Sequence, residues 1–167
     1  MITMRKRLLF FPLILCLLLM TACSNNREPP SIEGPPTITT PVDIINTPDR
    51  IHVVKNTVEV IYEKDTAEYN DLLEKIKARL PDALKEAKMA IPCKNDDGTY
   101  DWTALAHEFD YIRLSYDTPL TVIVDCFKDP THSPQNLSYD NLVFSLSDNW
   151  FIAGGRRTYG VLKEWTE

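Results

Sequence analysis

The sequence predicts an α+β domain: an antiparallel sheet arranged as a meander, with one or two helices packed on one face. Three observations point there. Val58, Val60 and Tyr62 alternate along the chain, and Leu142, Phe144 and Leu146 alternate with smaller or polar residues, which is the two-residue period of a half-buried strand. Tyr69, Leu72, Leu73, Ile76 and Leu80 recur at spacings of three and four, one face of an amphipathic helix. The helical pattern comes early and a long run of strand-like segments follows it, an order that gathers helices on one side of an antiparallel sheet.

Each element has its own local reason. Thr57 to Tyr62 reads as the first strand. Asp65-Thr66-Ala67-Glu68 offers capping residues with an acid in the first turn of the helix, and Lys75, Lys77 and Arg79 fall late in it, where cations suit the helix dipole. Pro81 ends this helix and can open a second short one, in which Leu84, Ala87 and Ile91 share a face. Asn95-Asp96-Asp97-Gly98 has turn chemistry, and Asp101 is placed to cap a short helical turn through His107. Phe109 to Tyr116 and Leu120 to Phe127 read as two strands, with Asp117-Thr118-Pro119 as the hairpin turn between them. A polar loop from Asp129 to Ser138 leads into the Leu142–Leu146 strand. Ser147-Asp148-Asn149 turns the chain into Trp150 to Ala153, and Gly154-Gly155-Arg156-Arg157 turns it into a last strand, Thr158 to Leu162.

The N-terminus has a different character. Arg5, Lys6 and Arg7 precede an apolar run from Leu8 to Met20, and the small residues Thr21 and Ala22 stand before Cys23, the layout of a secretory signal peptide. The run falls short of the ~20 apolar residues that a helix needs to span a bilayer, and it stops in polar Ser24-Asn25-Asn26-Arg27. Met20-Thr21-Ala22-Cys23 resembles the lipobox of bacterial lipoproteins, with Met20 where the pattern has leucine. The resemblance implies that Cys23 receives a diacylglyceryl thioether, that residues 1–22 are cleaved, and that the new amine is available for acylation. Stable anchoring generally takes two acyl chains, at roughly 0.8 kcal/mol per buried methylene. The expected location is therefore the cell membrane, lipid-anchored and facing outside the cytoplasm. An ordinary signal peptide with an incidental cysteine and an uncleaved anchor are the alternatives.

Residues 23–50 are expected to form the lipidated cysteine and a Pro-rich disordered tether. Pro29, Pro30, Pro35, Pro36, Pro41 and Pro48 lie here, and long apolar runs are absent. Such a segment reaches up to roughly 80 Å if extended and nearer 30 Å as a coil. Residues 51–167 then form a single domain, near the common size for one core.

Of 18 basic side chains three are in the leader, which leaves 15 against 24 acidic ones and a formal charge of −9 from Cys23 onward. That balance argues against nucleic acid as a partner.

Val58-Glu59-Val60-Ile61-Tyr62, Tyr111-Ile112-Arg113-Leu114-Ser115-Tyr116, Tyr139-Asp140-Asn141-Leu142-Val143-Phe144-Ser145-Leu146 and Tyr159-Gly160-Val161-Leu162 carry a second resemblance. In order and pattern these blocks are similar to small, uncharacterised lipoproteins of Gram-positive, clostridial-type bacteria. That resemblance implies no activity and no site residues.

Two cysteines remain once Cys16 goes with the leader and Cys23 with the lipid. Outside the cytoplasm Cys93 and Cys126 can pair, a bridge that would add roughly 3–4 kcal/mol, or stand as two separate buried thiols. His52, His107 and His132 show no zinc-protease spacing, and no G-x-S-x-G elbow is present. His107-Glu108 reads as surface or cap. Asn95 to Asp101 is the best cation candidate, but EF-hand spacing would put Cys93 at the first ligand position, so an acidic turn is expected and no metal or cofactor is called for. Arg156 and Arg157, between glycines, offer a forked grip on a carboxylate or phosphate, or else a solvent-facing hairpin turn. Trp102, Trp150, Phe151 and Trp165 are candidates for a sugar- or peptide-binding surface, though large aromatics more often sit in cores. The functional expectation is a non-enzymatic binding or interaction module of the cell envelope with an envelope protein as partner. A small-molecule or ion-binding lipoprotein is the alternative, and an envelope hydrolase stands behind it.

Overall fold

The computed structural model describes residues 34–87, 93, 95, 97, 99–154, 157–160 and 162–163, with the side chain of residue 157 excluded. A compact unit begins at Pro35. Its strands are β1 (Thr37–Ile38), β2 (Arg50–Lys55), β3 (Val58–Glu63), β4 (Lys85–Glu86), β5 (Tyr111–Val124), β6 (Gln135–Ser145), β7 (Trp150–Ala153) and β8 (Arg157–Gly160). Two α-helices, α1 (Ala67–Arg79) and α2 (Trp102–Glu108), accompany them. The sheet runs β3-β2-β5-β6-β7-β8-β4, with β1 pairing in parallel to the far end of β5. The class is α+β, on an open and otherwise antiparallel sheet.

Strand alternation assigns the two faces. On one, Ile51, Ile112, Leu114, Leu142, Phe144 and Phe151 meet Tyr69, Leu73 and Ile76 of α1 in the larger core. Phe144, Phe151 and Tyr159 are directly paired across β6, β7 and β8, and their rings stack at 5.1 and 5.0 Å. On the other face, Val54, Tyr111, Val143, Trp150 and Ile152 meet Leu105 of α2. The sheet therefore carries a helix on each face, and not helices on one face as expected, because Leu105 of α2 finds a second apolar patch made by Val54, Tyr111, Val143, Trp150 and Ile152. Both helices start at the caps their sequences offer: Thr66 accepts from the Tyr69 amide, and Asp101 accepts from the amides of Thr103 and Ala104.

Four further expectations need correcting. The expected tether of residues 23–50 does not hold from Pro35 onward, where the chain is folded. Pro41 opens a 3-10 turn (Pro41–Ile44), where its fixed φ is useful, and Ile38, Ile44 and Ile45 enter the core. Three hydroxyls fasten this stretch by its carbonyls: Tyr139 donates to Ile44 at 2.5 Å, Tyr116 to Ile45 and Tyr69 to Pro48. Few apolar residues suffice because tyrosines from the rest of the domain supply the bonds. The described part of the segment after Pro81 is extended, not helical. Leu84 is fully buried, receives the Lys128 amide and donates to Cys126, and the next two residues form β4. Asp117-Thr118-Pro119 is not a hairpin turn but an irregularity within one long strand. Both halves of β5 pair with β6, with the register shifting between Ser115 and Leu120. Tyr116 turns inward there, and Asp117 takes an ion pair with Arg50. Finally, β6 starts at Gln135, inside the stretch read as loop.

Candidate functional site

The α2 face of the sheet holds a polar network at the β3-β2-β5 end. A two-residue turn, Asn56-Thr57, reverses the chain between β2 and β3 with both residues at positive φ, the geometry of a type I′ hairpin. It sets His52 opposite Ile61 and diagonal to Glu59. From the other side, β5 sets Arg113 opposite His52 and Ser115 opposite Arg50. Alternation puts His52, Glu59, Arg113 and Ser115 on one face.

The contacts are close. His52 Nδ1 is 2.9 Å from Glu59 Oε1, and Nε2 is 3.0 Å from Ser115 Oγ. Arg113 Nη2 lies 3.0 Å from the same Glu59 oxygen and 2.9 Å from His52 Nδ1. Arg113 in turn stacks on Trp102 of α2, with its guanidinium carbon 4.5 Å from the ring centroid. His52 is only 8% exposed. Its burial, and then the Arg113 cation, lower its pKa from the ordinary 6.5, against the opposing pull of Glu59, so the imidazole is neutral at pH 7.

Beside this network lies an open cleft of about 350 Å³. Trp102 and Tyr100 stand on its helix side, Val143 and Ile152 come from the sheet, and Asp140 and Asn141 lie on its polar side. Gly154 closes the turn beneath it. At φ +59 with Ser138 O only 2.3 Å from where a Cβ would sit, that position admits no side chain. Asn141 is directly opposite Ser115 and Val143 is directly opposite Arg113, so cleft and network adjoin.

The residues singled out from sequence fare unequally. Cys23 lies outside the described residues, as do Arg156, Trp165 and the side chain of Arg157, whose backbone is in β8 opposite Ala153. Trp102 lines the cleft, whereas Trp150 and Phe151 are buried on opposite faces of the sheet and offer no surface. His107 is exposed. The pairing of Cys93 with Cys126 is not formed: both are free thiols. Cys126 belongs to the α1-face core, and Cys93, at φ 70, packs against the α2-face core. Burial pushes the Cys126 thiol up to about 11 and raises that of Cys93. In the acidic turn, Asp97 accepts from the Thr99 amide and hydroxyl, and no group of three or more His, Cys, Asp or Glu side chains gathers among the described residues. No described helix is long and apolar enough to cross a membrane.

The His52–Glu59–Ser115 network was not read from sequence, because its members are separated by 7 and 63 residues. The available signal was period-two spacing: His52 and Glu59 fall at matching alternation on either side of a two-residue turn.

Fold and site define an α+β domain with a polar network and an adjoining aromatic cleft on one sheet face. No protein-family model matches the chain, and neither a curated protein nor a solved structure is similar to it.

Proposed function

We propose that the chain is a lipid-anchored, extracytoplasmic module of the cell envelope that works by binding, with its ligand or envelope partner held in the cleft between α2 and β6. The leader ending in Met20-Thr21-Ala22-Cys23 supports the location. The observation that carries binding is the cleft itself, with aromatic Trp102 and Tyr100 facing polar Asp140 and Asn141. Apolar walls with a few placed polar groups are what a sugar or a peptide segment needs. The acidic balance of the mature chain speaks against nucleic acid.

The test is capture of the intact, lipidated protein from its own membrane, compared with Trp102→Ala and Asn141→Ala. A reproducible partner or glycan that both variants lose is the expected result; capture unchanged by either variant sinks the cleft. Cys23→Ser is expected to move the protein out of the membrane fraction, and retention there would remove the anchor from the reading.

A further inference from the structure

Ser115, His52 and Glu59 form a hydrogen-bonded chain with 3.0 and 2.9 Å between successive polar atoms. We propose that Ser115 is a nucleophile, His52 its general base and Glu59 the residue that orients the base, and that Ser115 accepts the acyl group of a carboxylic ester seated in the adjoining cleft. The proposal goes beyond binding: its reacting residues lie outside the cleft, and it takes from that reading the cleft as the seat of the substrate.

The parts fit by geometry. A hydroxyl becomes a useful nucleophile when a neutral imidazole nitrogen takes its proton, and the imidazole serves best when a carboxylate holds its other N–H. Glu59 Oε1 is in place to accept from Nδ1, which leaves Nε2 bare toward Ser115. A guanidinium only donates, so Arg113 gives its hydrogen to Glu59 in this tautomer and holds that carboxylate beside the ring. The base is sheltered, while Ser115 is half-buried and so within reach of a substrate.

Negative charge that develops on an ester oxygen needs donors nearby. Arg50 Nε and Arg113 Nε are buried N–H groups without a hydrogen-bond partner. Arg50 is directly opposite Ser115, and Arg113 is two residues before it on the same face. Buried orphan donors are rare and ask for an explanation; two flanking one serine fit an oxyanion. The cleft supplies the place for the acyl or alcohol part, since Asn141, directly across from Ser115, lines it.

The step balances with water as co-reactant. Ser115 Oγ bonds to the carbonyl carbon as its proton passes to His52 Nε2. Collapse breaks the acyl C–O bond, and the alcohol leaves with that proton. Water then adds with help from Nε2, the Oγ–C bond breaks, and the acid departs with the serine restored.

The full chain, purified in detergent, is treated with a fluorophosphonate, digested and mapped, and assayed on p-nitrophenyl butyrate. One phosphonate on Ser115 is expected, with hydrolysis and labelling lowered about 10²- to 10⁴-fold in His52→Gln and labelling absent in Ser115→Ala. The charged groups facing His52 are Arg113, Glu59 and Arg50. As a positioning residue, Glu59→Gln is expected to lower the rate less and to move the acid limb of its pH profile to lower pH, because a carboxylate that raises the His52 pKa is gone. Wild-type labelling no faster than that of Ser115→Ala, or a label on another serine, overturns the proposal even if no variant folds. Loss of the binding partner in Trp102→Ala leaves it standing.

Discussion

His52 has a partner on each ring nitrogen and a cation beside it, and this ties stability to pH. Its pKa is lowered in the folded chain, so between that value and 6.5 the unfolded chain binds more protons. Stability is then full above about 6.5 and falls as pH drops through the folded value. Urea titrations from pH 7.5 to 5 are expected to show this decline, and His52→Gln to flatten it; equal slopes would mean that His52 titrates alike in both states. The cysteines give a second test. Without reductant, denatured protein is expected to be alkylated at both Cys93 and Cys126, whereas in native protein Cys126 reacts far more slowly than a free thiol, because it is buried and its thiolate is disfavoured. Peptide mapping after iodoacetamide reads both, and a Cys93–Cys126 disulfide peptide would refute the first.

The elements differ in how openly the chain announces them. The cap at Thr66, the periodicity behind α1 and the Asp101 cap of α2 were legible because a helix is specified by neighbours within a few residues. The β5 irregularity was not, since Asp117-Thr118-Pro119 has turn chemistry and only the shared partner β6 keeps the strand continuous. The same holds for Ser115, whose role depends on β2 lying beside β5 and β3 beside β2. The β2–β3 turn is imperfect in a way that can be tested. Thr57 is β-branched yet sits at φ 67, a strained position for such a residue. Thr57→Gly is expected to stabilise the protein by about 1 kcal/mol, read as a raised melting temperature; a lower one would show that the hydroxyl or methyl outweighs the strain. β3 also ends the sheet on one side, unpaired on its outer edge among the described residues, and Val58, Val60 and Ile61 on it are 63%, 47% and 48% exposed. Such an edge is prone to pair with another chain. Light scattering that grows with protein concentration is expected for the wild type and is expected to fall in Val60→Lys. Equal scattering would place association elsewhere.

At the scale of the whole molecule, the segment before β2 decides what counts as the domain. Burial raises the pKa of Tyr69 and Tyr139 to about 12 and that of Tyr116 as well, so all three hydroxyls stay protonated and donate to the carbonyls of Pro48, Ile44 and Ile45. Removing the segment strands three hydroxyls, at about 1–3 kcal/mol each, and uncovers the core that Ile38, Ile44 and Ile45 fill, at about 1.5–3 kcal/mol each. Together these match the whole stability of a typical domain. A chain starting at Arg50 is expected to show no cooperative thermal transition and one starting at Pro35 to melt sharply; a sharp transition in the shorter chain would make the segment dispensable. Composition hid this, because six prolines from residue 29 to 48 read as spacer while the bonds that hold the segment come from tyrosines 21 to 95 residues away. With the chain fixed to a bilayer through Cys23, as proposed, the same fastening works as a lock at the point where the load enters. Tension on the anchor reaches the strands only by breaking the tyrosine bonds and drawing out Ile38, Ile44 and Ile45, so the pull is resisted by the core of the whole domain and not by one end of it.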